Sequence, residues 1–271
     1  MTGRLIISPH LDDAVLSCWH AITAAAQPAI VVTLFAGLPS AAAKVAPWDS
    51  ASGVTNPAEH MVRRRREDEA ALGVCGARFV HCDFLDDQYR GWARPRRALI
   101  ERLEELTKDA EEVWVPAGIG GHPDHVLAAE AALSATAGRR RVLYADLPYA
   151  AHRSAGLHPG GWRSLTTRQR VQAALIRSPY VPGWAPTPYL LTAQEQEAKR
   201  NCLDRYESQL SALAGAHSDW WQNRELFGLE WWWPLDEVVH PPRSGAVHWW
   251  ICRLRRKWGE MERRRRRRQA P

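Results

Sequence analysis

The chain opens on a short apolar run, RLIIS, that stops at a proline; DDAVLSCWHAITAAA follows, with alanine and leucine recurring at helical spacing. A second continuous apolar run, AIVVTLFAG, is β-branched and ends in glycine, the pattern of a parallel strand buried on both faces. The alternation then continues. EHMVRRRREDEAALGVCG reads as helix, ARFVHCDF as strand and RPRRALIERLEELTKD as an amphipathic helix. EEVWVP reads as strand, DHVLAAEAALSATAG as helix and RVLYADLPYA as a further strand. Strands alternating with helices over residues 1–150 predict an α/β fold with an open, mainly parallel sheet flanked by helices.

Two stretches break this rhythm. Residues 38–58 are rich in Pro, Ser, Gly and Ala and read as a long surface loop, of the kind that is functional or mobile in a compact domain. From Ala151 to about Leu190 the pattern dissolves into Pro, Gly and aromatic residues, and regular structure is not expected there. TAQEQEAKRNCLDRYESQLSAL then reads as one amphipathic helix opened by a threonine cap. The expected organisation is a core at 1–150, a lid and irregular aromatic-rich C-terminal elaboration at 151–262 packed on it as one domain, and a disordered arginine-rich tail at 263–271. Neighbouring residues on a strand face opposite sides, so in the WWW run Trp232 should face away from Trp231 and Trp233.

Composition narrows the class. With 45% hydrophobic and 24% charged residues the chain is globular, and global disorder is excluded. The net charge of +6 is concentrated in blocks at Arg63–Arg66, Arg139–Arg141 and Arg263–Arg268. The last block reads as a solvated tail that allows peripheral contact with an anionic membrane. No nucleic-acid recognition module accompanies the basic blocks, so no specific nucleic-acid partner is expected. Five cysteines with no C-x-x-C pair argue against a disulfide framework or a thiolate zinc site and for a reducing compartment. No signal-peptide pattern and no apolar stretch of ~20 residues is found, so a cytoplasmic protein is expected.

The candidate chemistry lies in SPHLDD and, about a hundred residues later, GGHPDH. Each follows a predicted strand, and ligands of open parallel sheets bind outside the carboxyl ends of the strands. His10, Asp12, Asp13, His122, Asp124 and His125 should therefore converge on one edge. Adjacent carboxylates repel each other and cost desolvation unless a cation holds them. Two imidazoles and one carboxylate suit a divalent metal, zinc best of all, with other divalent transition metals compatible; His10, Asp13 and His125 are the natural set. Taken alone, each motif also reads as ordinary helix-start chemistry, an aspartate cap or a Pro-Asp opening.

Taken together, P-H-x-D-D after the first strand and H-P-D-H later resemble the PIG-L or LmbE-like family of zinc-dependent N-acetylglucosaminyl deacetylases. R-x-x-E at Arg64–Glu67, FLDDQYR, YADLPYA, and Lys199 followed by Y-E-S-Q at 206–209 agree with it. The resemblance implies a Rossmann-like sheet, zinc on His10, Asp13 and His125, and Asp12 as general base toward metal-activated water. It implies that His122 stabilises the oxyanion or protonates the leaving amine, with Asp124 orienting its ring. Arg64 and Asp86 would contact substrate hydroxyls. The implied substrate is an N-acylated amino sugar, free or in a glycoconjugate, and the aromatic content is similar to that of the teicoplanin-type tailoring branch. An amidase for a thiol-sugar conjugate and a non-catalytic glycoconjugate-binding protein are the alternatives. Gly120 departs from the pattern, since some members carry tyrosine there to polarise the carbonyl; Leu11 and Ala14 also depart, at positions that are not ligands.

Overall fold

The computed structural model describes residues 2–151, 178, 180 and 186–235. Five strands, β1 (Thr2–Ser8), β2 (Ile30–Thr33), β3 (Arg78–His81), β4 (Ala110–Pro116) and β5 (Arg141–Tyr144), pair in parallel in the order β3-β2-β1-β4-β5. This is the expected mainly parallel, Rossmann-like arrangement, with the order reversing after β1. Ile6 pairs with Val31 on one side and Trp114 on the other. Ile6, Ile7, Val32, Val113, Val115 and Leu143 are all buried, which is why these strands are continuous apolar runs rather than alternating ones.

The helices that flank the sheet are α1 (Asp13–Thr23), α2 (Pro47–Ala51), α3 (Pro57–Val74), α4 (Asp87–Arg90), α5 (Arg96–Thr107) and α6 (Pro123–Ala135). The stretch read as a loop at 38–58 thus contains α2 and the start of α3, each opened by a proline in the first turn. No helix among the described residues is long and apolar enough to cross a membrane. Of the region expected to hold the lid, residues 152–177, 179 and 181–185 lie outside the described residues, as does the arginine-rich tail.

The C-terminal part is more regular than its sequence suggests. β6 (Thr187–Leu190) and β7 (Leu229–Leu235) extend the sheet antiparallel beyond β5, with β7 between β5 and β6. Within β7, Trp231 and Trp233 are buried, and Trp232 is half-buried, with its ring edge-on to Trp114 at 5.4 Å. The helix expected across 192–213 is two helices, α7 (Ala193–Leu203) and α8 (Glu207–Ala216), followed by α9 (Ser218–Gln222) and α10 (Arg224–Gly228). The break has a tertiary cause. Tyr206 Oη donates to Asp68 on α3 at 2.7 Å, while the Ser208 backbone N–H and hydroxyl both donate to Glu67.

A buried ion pair explains a second irregularity. α1 leaves helical geometry at Cys18 (φ −132°, ψ 27°), and the Trp19 and His20 N–H groups donate to the Glu230 carboxylate. Lys199 Nζ bridges Leu16 O and Glu230 Oε1, at 2.7 and 2.9 Å, so β7 and α7 together take up the polar groups around the break. Both charges are fully buried. Lys199→Met should therefore destabilise by about 3–5 kcal/mol, because Glu230 is left without its counter-charge. Urea unfolding checks this, and a loss below ~1 kcal/mol would show that the pair does not hold the break.

Candidate metal centre and active site

The carboxyl ends of the neighbouring strands β1 and β4 deliver the two motifs to one place. Helix-start chemistry does not account for the acidic residues of the first. Asp12 stands at the cap of α1 yet makes no capping bond, and the Ser8 hydroxyl accepts the Ala14 N–H instead. Asp13 Oδ2 accepts the His10 N–H at 2.9 Å and lies 3.2 Å from both His10 Nδ1 and His125 Nε2. One carboxylate oxygen thus stands between two imidazoles.

Each imidazole is braced on its far side. His10 Nε2 is 3.0 Å from Asp124 Oδ2, and His125 Nδ1 is 2.7 Å from Asp146 Oδ1. Asp146 also accepts the Ile119 N–H, which fixes the carboxylate in turn. His125 is fully buried, and among the described residues its Nε2 has the Asp13 oxygen at 3.2 Å but no hydrogen bond of good geometry. A nitrogen placed this way, with the opposite ring N–H held by a carboxylate, has the arrangement of a metal-ligating histidine. The N/O donor set of His10, Asp13 and His125 fits zinc.

Two overlapping groups also bring ligand atoms within 4.8 Å of one another, His10 with His122 and His125, and His10 with Asp86 and Asp124. Their bonding argues against them as ligand sets. His122 caps α6 through Nδ1, which accepts the Asp124 N–H at 3.2 Å, so its proton sits on Nε2 and leaves no lone pair there. Asp124 is committed to Arg90, to the Asp87 N–H and to His10. The expectation that the Asp124 carboxylate orients His122 is thereby corrected: the carboxylate braces His10, and only the backbone of Asp124 meets His122. The reason is the helix start, which turns the side chain of the second helical residue away from that of the cap.

The charges follow from this geometry. Burial works against an ionised His10, but its bonds to Asp124 and Asp13 and the nearby Asp86 outweigh it and push the pKa up to about 10. Burial likewise opposes charging His125, and the Asp13 and Asp146 carboxylates overcome it, raising the pKa to about 9. Asp13 is held below the usual carboxylate range by the two imidazoles despite its burial. For Asp12, burial and the Asp13 charge raise the pKa to about 7, against the opposing pull of Arg64 and His10. Asp12 is 7% exposed, and its carboxylate accepts no hydrogen bond among the described residues, which leaves a basic oxygen available to a ligand.

Arg64, on α3, is buried with its Nε unbonded among the described residues, and its charge reaches Asp12. Asp86 caps α4 through Oδ1 and places Oδ2 3.8 Å from His10 Nε2. Gly120 (φ +88°) has no room for a side chain, because a Cβ would collide with Tyr149. The Tyr149 ring stands 4.8 Å from His125 and 5.9 Å from His122. Sequence reasoning did not single out Asp146, Arg90 or Tyr149; the signal available was their place in YADLPYA and FLDDQYR, the first of which follows β5 to the same sheet edge. Asp146→Ala should weaken metal binding about 10–100-fold. A chelator titration of the purified variant checks this, and wild-type affinity would remove Asp146 from the support of the site.

Residues 5–136 match the family model described as PIG-L, GlcNAc-PI de-N-acetylase. A 2'-N-acetylparomamine deacetylase of Streptomyces fradiae is 32% identical over 174 residues, 56% of this chain and 60% of that protein. The chain thus spans less than two thirds of the length of this curated relative. Among solved structures, an A40926 pseudoaglycone deacetylase aligns with a TM-score of 0.64 and 28% identity over 88% of this chain and 98% of that one. The zinc-inhibited form of a teicoplanin deacetylase shares the fold, with a TM-score of 0.63 and 24% identity over 87% of this chain and 99% of that one. Both histidine–aspartate motifs lie within residues 5–136, the part of this chain that matches the PIG-L family model.

Proposed function

We propose that this protein is a metal-dependent hydrolase that removes the N-acetyl group from an amino sugar of a glycosylated natural product. The observation that carries the reading is the pair of braced imidazoles facing Asp13 Oδ2, with His125 Nε2 buried and without a well-aligned hydrogen bond among the described residues. His10, Asp13 and His125 would hold one divalent metal, zinc by donor chemistry. Such an ion supplies Lewis acidity and makes water a nucleophile near neutral pH.

The chain's own residues do the rest. Asp12, unbonded and with a pKa raised to about 7, takes the proton of the attacking water. His122, with its proton on Nε2, donates to the oxygen that gains charge as the amide carbonyl becomes tetrahedral. Arg64, with its Nε unbonded, and Asp86 face substrate hydroxyls. The amine leaves with the proton that Asp12 received, and acetate is the second product. Relatives that act on N-acetylparomamine and on a glycopeptide pseudoaglycone support the substrate class.

The test is acetate release from a panel of N-acetylglucosaminyl compounds, including 2'-N-acetylparomamine and a glycopeptide pseudoaglycone. The protein is reconstituted with one equivalent of zinc and run with and without chelator. Chelator-sensitive release is expected. No release from any member by folded, zinc-loaded protein would overturn the reading.

A further inference from the structure

α3 and α7 meet at two cysteines far apart in sequence. Cys75 is the C-terminal cap residue of α3, and Cys202 lies in the last turn of α7. Their sulfur atoms are 2.9 Å apart, inside the contact distance of two non-bonded sulfurs. Both side chains are directed to the same point, the end of α3. Cys202 Sγ donates to Ala71 O at 3.0 Å, and the Cys75 N–H donates to that same carbonyl at 3.2 Å. Cys202 is fully buried, whereas Cys75 is partly open to solvent. Cys18 and Cys82 are buried elsewhere in the core.

We propose that Cys75 and Cys202 form a redox-controlled disulfide that staples α3 to α7 when the protein meets a small-molecule disulfide such as oxidised glutathione. The pair is a thiol pair in a reducing compartment. On exposure to the oxidant, the deprotonated Cys75 sulfur, the accessible one, attacks a glutathione sulfur; the glutathione S–S bond breaks and one glutathione leaves as thiolate. Cys202 then attacks the Cys75 sulfur of the mixed disulfide and expels the second glutathione. Two protein thiols are oxidised, one glutathione disulfide is reduced, and the two thiol protons end on the two glutathiones. The bond to Cys202, with burial adding to it, pushes the Cys75 thiol up so that little of it is thiolate at neutral pH and the reaction is slow; the juxtaposition makes it favourable rather than fast.

The position gives the staple a consequence. α3 carries Arg64, Glu67 and Asp68 along one side of the candidate site, and Tyr206 and Ser208, just beyond α7, already bind the last two. A covalent link at Cys75–Cys202 closes a long loop that contains the second histidine–aspartate motif, His122–His125, and long loops gain the most from closure.

The full chain, freshly reduced and desalted, would be incubated natively with oxidised glutathione at about pH 8 until its mass stops changing. Expected are an intact mass lower by 2 Da, a non-reduced tryptic peptide joining Cys75 to Cys202, and a Tm higher by roughly 10 °C that dithiothreitol reverses. Cys75→Ser should lack both the mass loss and the Tm shift while keeping the fold of the reduced protein. An unchanged mass at equilibrium, a link that engages Cys252 in place of either partner, or a link that leaves Tm unmoved would each overturn the proposal.

Discussion

Asp12→Asn should keep its metal and lose about 10²–10⁴-fold in kcat. The range is what a positioned general base contributes. Metal retention follows from the geometry: Asp13 Oδ2, not Asp12, stands 3.2 Å from both imidazoles. The fold should also tolerate the change, since the Asp12 side chain makes no capping bond and Ser8 supplies the bond to Ala14. Asparagine has nearly the shape of aspartate but cannot take a proton, and it relieves the repulsion from Asp13 that helps raise the Asp12 pKa. Metal analysis and acetate release on the same preparation decide the matter. A variant that loses metal along with activity would make Asp12 a ligand and transfer the base to another group.

His125→Ala should instead lose the metal, and with it more than ~10³-fold in activity. Among the described residues its Nε2 is the ring nitrogen of the pair without a well-aligned hydrogen bond, and removing it leaves His10 and Asp13 as a two-member set. The substitution also strips Asp146 of its bond to Nδ1, leaving a fully buried carboxylate with only the Ile119 N–H in its place, so some loss of stability is expected as well. His125→Gln separates the two effects. Glutamine fills most of the space and can donate to Asp146, so a folded variant still free of metal would assign the loss to the missing ring nitrogen. Stoichiometric zinc in both variants would remove His125 from the ligand set and with it the proposed centre.

Much of the site was legible because its residues sit next to punctuation. Pro9 ends β1 and Pro123 opens α6, so the histidines and aspartates beside them fall on the carboxyl edge as soon as the two runs are read as strand and helix. The braces were not legible. Asp146 resembles any aspartate after a strand until β5 is paired with β4 and brings it to His125. The role of Asp124 was misread for a similar reason: adjacency to His122 in the chain suggested a partnership, whereas the start of α6 directs its carboxylate to His10 and Arg90. In the C-terminal part, proline and aromatic density masked β6, whose stability comes from antiparallel pairing with β7, about forty residues on in the chain, whereas the WWW run of β7 already read as strand.

The sequence by itself determined the parallel core, its order of elements and the meeting of two polar motifs at one edge, since buried strands must be apolar and their polar residues collect where they end. Only the tertiary structure decided which carboxylates hold the two imidazoles from behind, where α1 and the C-terminal helix break, and that Cys75 meets Cys202. Periodicity records how much of a residue is buried and on which side. It does not record against what, and hydrogen bonds and charge pairs between distant segments depend on that alone.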